Sequence, residues 1–239
     1  MAKAKEALGN QKPTERVMRL GPNAHALTFP VAGGSLVNVV AFVHDPEEWP
    51  NPEKLTAPAT KGEAAAAFNT FGPTVRAIMD LLPEKLEKWA VFDTFEYPAT
   101  TYIKGRIGLA GDAAHASAPH HGAGAGFGIE DAAVLCALML AVSIALLEST
   151  PSSKAATIRA ALSAYDTVRR ERAQWLVQSS RRVGEIYEWL DQEVGRDINK
   201  CKHEAEWRAH AIWDYDIDGM IREAGEEFSK NVAAFRLKN

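Results

Sequence analysis

The chain has 239 residues, enough for one domain or two small ones with a real hydrophobic core. Hydrophobic residues make up 46% of the sequence and charged residues 24%, proportions that are ordinary for a soluble globular protein. The net charge of −4 gives no reason to expect nucleic acid or an anionic membrane as a partner, and two cysteines form no disulfide framework. Residues 1–6 contain no apolar signal segment, so we expect a cytoplasmic protein.

The first half of the sequence predicts a small sheet accompanied by helices. Strand-like runs at residues 26–30 and 36–43 flank Gly33 and Gly34, which is the pattern of a β-hairpin, and Asp45 marks the end of the second strand. The other predictions for this half, in chain order, are a partial helix over residues 1–20, a loop over 49–61, helices over 61–71 and 74–82, and a strand over 89–97.

Residues 105–132 hold the most informative pattern of the chain. Residues 106–110, apolar after Arg106, predict a buried strand, and Asp112 places a carboxylate at its C-terminal end. Four alternating glycines, at positions 122 to 128, then predict a loop that opens a helix. Because strand ends and helix N-termini direct their polar groups into a shared crevice, this segment is the candidate ligand site.

Each part of this pattern also has a simpler explanation. Asp112 suits the N-cap of a following helix, and small residues at a helix start allow two elements to pack closely. Four glycines, however, weaken a helix by about 1 kcal/mol each, so their presence needs a reason. Phe127 stands where a dinucleotide fingerprint needs its third glycine, and no Lys-Ser/Thr pair follows, so neither that fingerprint nor a P-loop is present.

Three histidines lie close to Asp112 in the sequence and raise the alternative of a metal site. A carboxylate together with the imidazoles of His115, His120 and His121 could bind iron or zinc. Their spacing fits no established metal motif, and Pro119 and the glycines are expected to turn the rings in different directions. We therefore predict no metal.

The last third of the chain predicts helices. The apolar run at residues 132–147 is interrupted by Cys136, and we expect it to be a buried core helix too short to span a bilayer, with Cys136 in the core. Pro151, Ser152 and Ser153 predict the start of a long helix over residues 155–194, and an aromatic-rich tail follows over residues 200–228.

The segment Gly-Asp112-Ala-Ala-His115-Ala, the Pro119-His120 pair and the run Gly122-Ala-Gly-Ala-Gly126 resemble the second flavin-contacting motif of class A FAD-dependent aromatic hydroxylases. The match lies in the salicylate-hydroxylase-like branch, which also carries an acidic residue after the glycines. The resemblance covers residues 19–228 and implies a mixed α/β (α+β) fold, the second half of a PHBH-type, Rossmann-like FAD-binding fold. It divides the chain into a partial substrate-domain sheet with helices (1–104), the flavin-contacting strand, loop and helix (105–150) and a C-terminal helical region (151–239).

The resemblance also implies a chemistry and a role for single residues. The family uses FAD, with NAD(P)H as co-substrate and O₂, to hydroxylate a phenol or an aryl carboxylate. Asp112 corresponds to the residue that bonds the ribityl chain, and the isoalloxazine is contacted through the backbone of Pro119, Gly122, Ala123, Gly124 and Ala125. The residues expected to line the substrate site and act in catalysis are His120, His25 and Phe29.

Two of these assignments have alternatives. Phe29 stands where relatives usually have a tyrosine, so any role that needs a hydroxyl is lost, and His25 and Phe29 could simply share one half-buried strand face. His115 is expected to be structural, hydrogen-bonding the loop, while Arg169 is expected to form structural ion pairs on the long helix.

The N-terminal dinucleotide-binding motif of the family is missing from this sequence. We therefore expect a truncated chain, one half of a split protein or a gene start placed too late, inactive alone. We also expect the strand before Gly111 to have an exposed edge. The predicted partners are a small aromatic substrate and either the missing N-terminal half or a second copy in a homodimer, with no nucleic acid and no membrane. The alternative is a non-catalytic remnant or partner module that does not bind FAD tightly.

Overall fold

The computed structural model describes residues 2–9, 14–148 and 154–236. The predicted helix start at Pro151, Ser152 and Ser153 lies outside these residues. The strands are β1 (Val17–Gly21), β2 (Ala24–Val31), β3 (Leu36–Val43), β4 (Thr56–Thr60), β5 (Lys85–Trp89), β6 (Ile103–Lys104) and β7 (Ile107–Gly108). The helices are α1 (Ala2–Leu8), α2 (Lys61–Ala67), α3 (Pro73–Asp80), α4 (Asp112–His115), α5 (Gly124–Glu148), α6 (Lys154–Tyr187), α7 (Ile198–Trp213) and α8 (Ile217–Arg236).

These elements form two compact units, and the mixed α/β class is confirmed. The first unit comprises Met1–Val91 with Gly184–Cys201, and the second comprises Phe92–Val183 with Lys202–Asn239. The first unit contains strands β1 to β5, whereas the second is mostly helical and contains the short pair β6–β7.

The sheet of the first unit is antiparallel, in the order β1-β2-β3, and it confirms the predicted hairpin. Val31 pairs with Leu36 across the closing turn, where Gly33 and Gly34 take φ values of 63° and 81° that favour glycine. One sheet face packs on α2 and α3 through a core made of Leu8, Ala24, Ala26, Phe68, Phe71, Val75, Ile78 and Met79.

Both predicted helices of this unit are confirmed, and each has a clear start signal. The hydroxyl of Thr60 accepts the Glu63 N–H at 3.2 Å while the Glu63 carboxylate accepts the Thr60 N–H at 2.6 Å, a capping box that begins α2. Pro73 begins α3 at a position where its missing N–H removes no helical hydrogen bond.

Helices α5, α6, α7 and α8 build the core of the second unit. Val134, Leu138 and Val142 form a buried stripe along α5, and they pack in a cluster with residues of α6 and α8 such as Tyr165 and Phe228. This packing fixes the start of α5, where the predicted ligand site lies.

The strand predictions fail in four places. Strand β1 was not expected within residues 1–20, and β4 lies inside the predicted loop 49–61; both are short, and β4 carries a proline. The predicted strand over 89–97 is wrong, because β5 ends at Trp89 and a turn follows in which Asp93 accepts the Phe95 N–H at 3.1 Å.

The predicted buried strand over residues 106–110 is also wrong. Only Ile107 and Gly108 pair, with β6, and the Ile107 side chain is 71% exposed. The physical reason is that β6 is the only strand beside it in the described part of the chain, so its apolar residues have nothing to cover them. The expectation of an exposed edge before Gly111 is therefore confirmed.

The two long helices also differ from the sequence prediction. Helix α5 is longer than the apolar run and buries only one side, so Cys136 is exposed and not in the core. By length and composition α5 could cross a membrane, and only 28% of its apolar window is buried, so the prediction of a buried helix too short to span a bilayer is wrong; a single such helix is weak evidence of a membrane span. Helix α6 ends at Tyr187 instead of Val194, because Trp189 takes a left-handed conformation with φ of 58°.

Candidate functional site

A sharp corner at Gly111 places Asp112 at the surface. Gly111 has φ 58° and ψ −143°, a combination that only glycine adopts easily, and its carbonyl accepts the N–H groups of Ala114 and His115. Asp112 is the first residue of α4 and is exposed, and its side chain makes no capping hydrogen bond. The N-cap explanation therefore does not hold, and the carboxylate is accessible to a ligand.

The glycine-rich segment forms a turn followed directly by a helix, as predicted. Pro119–His121 is a single 3-10 turn that Gly122 closes in a left-handed conformation with φ 65°. The Gly122 N–H donates to the Pro119 carbonyl at 2.9 Å, and helix α5 begins at Gly124. The amide of Gly122 is thus already used inside the turn.

The first turn of α5 presents backbone donors that have no partner. The first amide that bonds within the helix is that of Phe127, which donates to the Ala123 carbonyl at 3.1 Å. Within the described residues, no acceptor is found for the four preceding amides, those of Ala123, Gly124, Ala125 and Gly126. Together with the helix dipole they make a site suited to an electron-rich or anionic group.

Close packing does not explain the three glycines of helix α5, because a side chain would fit at each of them. A Cβ at Gly124 would lie 3.5 Å from the Ser117 hydroxyl, and one at Gly128 would lie 3.7 Å from the Gly111 Cα, both ordinary contacts. A Cβ at Gly126 would meet nothing within 4 Å. Gly126 is therefore not required by the packing of the chain itself.

A buried carboxylate below this turn holds the Gly111 corner in place. Asp131 is fully buried and accepts the Gly111 N–H at 2.8 Å, the His115 Nε2 at 2.7 Å and the Arg169 Nε at 2.8 Å. Burial alone raises the pKa of Asp131, but the hydrogen bonds from His115, Gly111 and Arg169 and the charge of Arg169 together outweigh it and hold the pKa below its ordinary value. His115 is therefore structural, as expected.

Arg169 connects Asp131 to the start of α5. Its guanidinium, which is fully buried, also donates to Glu130 at 2.5 Å and to the Phe127 carbonyl at 3.2 Å. Arg172 adds a bidentate pair to Glu130 at 2.8 and 2.9 Å. The predicted ion pairs of Arg169 are thus confirmed, but neither Glu130 nor Asp131 was singled out as the partner.

The other two histidines of the segment have separate environments. The Nε2 of His121 lies 2.9 Å from the Ser179 hydroxyl, while His120 is half-buried. Burial and the nearby Arg208 lower the pKa of His121 to about 4, so its imidazole is neutral at physiological pH. Among the residues that the structure describes, no three His, Cys, Asp or Glu side chains come together in a way that could hold a metal ion.

His25 and Phe29 lie in the first unit, on one face of β2. His25 is 1% exposed: its Nδ1 is 3.1 Å from a Glu188 carboxylate oxygen, and its ring stacks on Phe42 with centroids 4.6 Å apart. Phe29 is half-buried. The structure therefore shows a packed imidazole at His25, and its predicted role at the substrate remains a prediction.

Comparison with known proteins decides the family. Residues 55–180, more than half of the chain, match the FAD binding domain family. The chain belongs to the FAD binding domain family. The matched range includes the Gly111 corner, the glycine turn and the buried Asp131 network.

Its relatives agree with this assignment. An FAD-dependent monooxygenase of Aspergillus niger, orf3, is 57% identical over 98% of this chain and 53% of its own length. A salicylate hydroxylase of Sarocladium schorii, asL1, is 39% identical over 100% of this chain and 52% of its own length. A solved salicylate hydroxylase substrate complex superimposes with a TM-score of 0.80 at 37% identity, covering 93% of this chain and 53% of that one. The chain thus spans about half the length of the relatives it matches.

Proposed function

We propose that this chain contributes the flavin-head site of an FAD-dependent aromatic hydroxylase. The whole protein would use NAD(P)H and O₂ to hydroxylate a phenol or an aryl carboxylate, in the cytoplasm. The observation that carries the proposal is the row of four amides without acceptors at the start of α5, inside a segment that belongs to the FAD-binding family.

The described residues fit the flavin. In the enzyme, FAD supplies the oxygen-activating and hydride-accepting chemistry, which no amino-acid side chain provides. The amides of Ala123, Gly124, Ala125 and Gly126 would donate to the electron-rich edge of the ring, and the open space at Gly126 lets a flat group approach the backbone. The exposed carboxylate of Asp112 would accept hydrogen bonds from ribityl hydroxyls.

The roles of the remaining predicted residues follow from their surroundings. Pro119 opens the turn that leads to the amides, and Gly122 shapes that turn, since its own N–H donates to the Pro119 carbonyl and is not free for the flavin. His120, half-buried beside the turn, is proposed to line the substrate site. Phe29 would supply an apolar wall, whereas the imidazole of His25 would hold β2 through Glu188 and act on the substrate only indirectly.

The substrate is proposed to be a small aromatic compound, and the rest of the FAD site is proposed to come from the part of the fold that the relatives have beyond this chain or from a second copy. The alternative is a partner module that does not bind FAD tightly. FAD binding separates the two directly, because only the first requires the amide row to have a ligand.

A single amide can be deleted without breaking the helix. Proline is tolerated in the first turn of a helix, so Ala125→Pro removes one unpaired N–H and no intrahelical hydrogen bond. We expect FAD affinity, measured by quenching of flavin fluorescence, to fall by roughly 10-fold, since a lost hydrogen bond to a charged or polarised group corresponds to about 1.5 kcal/mol.

Helix α8 offers the matched control. Asp218→Pro places a proline at an exposed position in the first turn of α8, where it should leave FAD affinity unchanged. Equal affinity of the Ala125→Pro variant and the unaltered chain would refute donation by this amide, and a chain that quenches no flavin at all would favour the partner module.

A further inference from the structure

A buried chain of polar side chains leads from His121 into the helices of the second unit. Ser179 on α6 lies 2.9 Å from the His121 Nε2 and 2.7 Å from the Arg208 Nη1 on α7. Arg208 in turn donates to Glu204 at 2.9 and 3.3 Å. Ser179 is 2% exposed and Arg208 is 5% exposed, so water does not replace these partners easily.

The donors and acceptors of this chain fix where the imidazole proton lies. Arg208 can only donate, so the Ser179 oxygen is the acceptor of that bond. The hydroxyl has one hydrogen, and among the described residues its only other neighbour in hydrogen-bond range is His121 Nε2. If Nε2 carried a proton, the buried Ser179 hydroxyl hydrogen would have no acceptor, which is unfavourable. Nε2 therefore accepts, and the ring proton is on Nδ1.

We propose that Ser179 and Arg208 make His121 a positioning residue: they hold its imidazole with the proton on Nδ1 and tie the Pro119–His121 turn to α6 and α7. The turn ends one residue before Ala123, the first of the unpaired amides. Loss of the Ser179 hydroxyl should therefore displace those amides. The effect on flavin affinity rests on the proposed function, whereas the position of the proton does not.

Nδ1–H also becomes a further donor beside the turn. No hydrogen bond from a described residue to the His121 Nδ1 is present, and His121 is half-buried, so this nitrogen is a candidate for a ligand contact. It suits a carbonyl or phosphate oxygen. Because Arg208 opposes protonation of the ring, this donor keeps one fixed form across physiological pH.

Two neighbouring serines give a matched pair of variants. Ser180 is 1% exposed, and its hydroxyl makes no hydrogen bond within the described residues, so Ser180→Ala removes the same atom at the same depth without touching the chain of bonds. Ser179→Ala removes the link between His121 and Arg208. Any difference between the two variants reports the link itself.

The test is a proton–nitrogen NMR spectrum of the full chain without flavin, followed by FAD titration. We expect the unaltered chain and Ser180→Ala to show His121 with its proton on Nδ1 only. We expect Ser179→Ala to show both tautomers, shifted amide resonances for Ala123 to Gly126 and FAD affinity lowered about threefold, the effect of losing one modest hydrogen bond.

A proton on Nε2 in the unaltered chain, or a Ser179→Ala spectrum that matches that of Ser180→Ala, would overturn the proposal. Unchanged FAD affinity in Ser179→Ala, in a chain that does bind FAD, would overturn the positioning role as well. If no variant binds FAD while the tautomer and the amide shifts behave as expected, the proposed function fails and this inference stands.

Discussion

The first two turns of helix α5 differ sharply in how their polar groups are satisfied. In the first turn, the amides of Ala123 to Gly126 have no acceptor within the described residues. In the second, Glu130 and Asp131 are bonded by Arg169, Arg172, His115 and the Gly111 amide, and Arg169 is fully buried. The amides without acceptors thus lie next to the ion-pair network of Glu130, Asp131 and Arg169, which we call the paired base. Such a network keeps a binding site rigid in the absence of a ligand.

The largest expected effect comes from breaking the paired base. Asp131→Ala leaves the buried guanidinium of Arg169 without one carboxylate and frees His115 and Gly111, so we expect the free energy of unfolding to fall by about 3–5 kcal/mol. Urea denaturation followed by circular dichroism measures it. The exposed Asp214→Ala is the control, expected within about 0.5 kcal/mol of the unaltered chain. A loss below about 1 kcal/mol for Asp131→Ala would show that the base does not hold the corner.

The next effect concerns the exposed carboxylate of Asp112. In the full-length protein, Asp112→Ala should weaken FAD binding by about 1.5–3 kcal/mol, because a carboxylate loses hydrogen bonds to ribityl hydroxyls. Substrate binding should change far less. Stability should also change little, since the Asp112 side chain is exposed and caps no helix. An unchanged FAD dissociation constant would remove Asp112 from the cofactor site.

A smaller effect on the free energy of unfolding tells whether Gly126, in the first turn of α5, lacks a side chain because of a ligand or because of packing. Gly126→Ala should stabilise the chain by up to about 1 kcal/mol, since its Cβ meets nothing and alanine favours helix. Gly225→Ala in α8, which is equally open, should give a similar gain. Urea denaturation compares the two variants. Destabilisation by Gly126→Ala alone would support the close-packing explanation.

The last effect is a pH dependence. The pKa of His121 is about 4 in the folded chain and 6.5 ordinarily, so the unfolded chain binds a proton first as the pH falls. The contribution of His121 to stability is therefore complete above about pH 6.5, decreases down to about pH 4 and is constant below. His121→Gln should flatten this part of the stability profile. Urea midpoints taken across this range check it, and an unchanged slope in the variant would contradict it.

Features that depend on neighbouring residues could be predicted from the sequence. The hairpin around Gly33, the helix that begins at Lys61 and the glycine turn before α5 depend on neighbouring residues, and the structure shows all three. The candidate flavin-contacting segment was found for the same reason, since its residues are contiguous.

The rest depends on contacts between distant positions. Asp131 and Arg169 lie 38 residues apart, and Ser179 and Arg208 lie 29 apart, so no local pattern pairs them. The spacing of Tyr165 and Arg169 pointed to ion pairs without naming a partner. The apolar composition of the run before Gly111 predicts a buried strand. Burial, however, requires neighbouring strands, and within the described residues Ile107 has only β6 beside it.

The central claim is that flavin binds at the amides of Ala123 to Gly126, and amide NMR during FAD titration tests it most directly. We predict that the resonances of Ala123, Gly124, Ala125 and Gly126 shift together and saturate at about micromolar FAD or above, while those of the Asp131 network move little. FAD-induced shifts confined to other residues, or no shifts at concentrations that saturate a control flavoprotein, would contradict it.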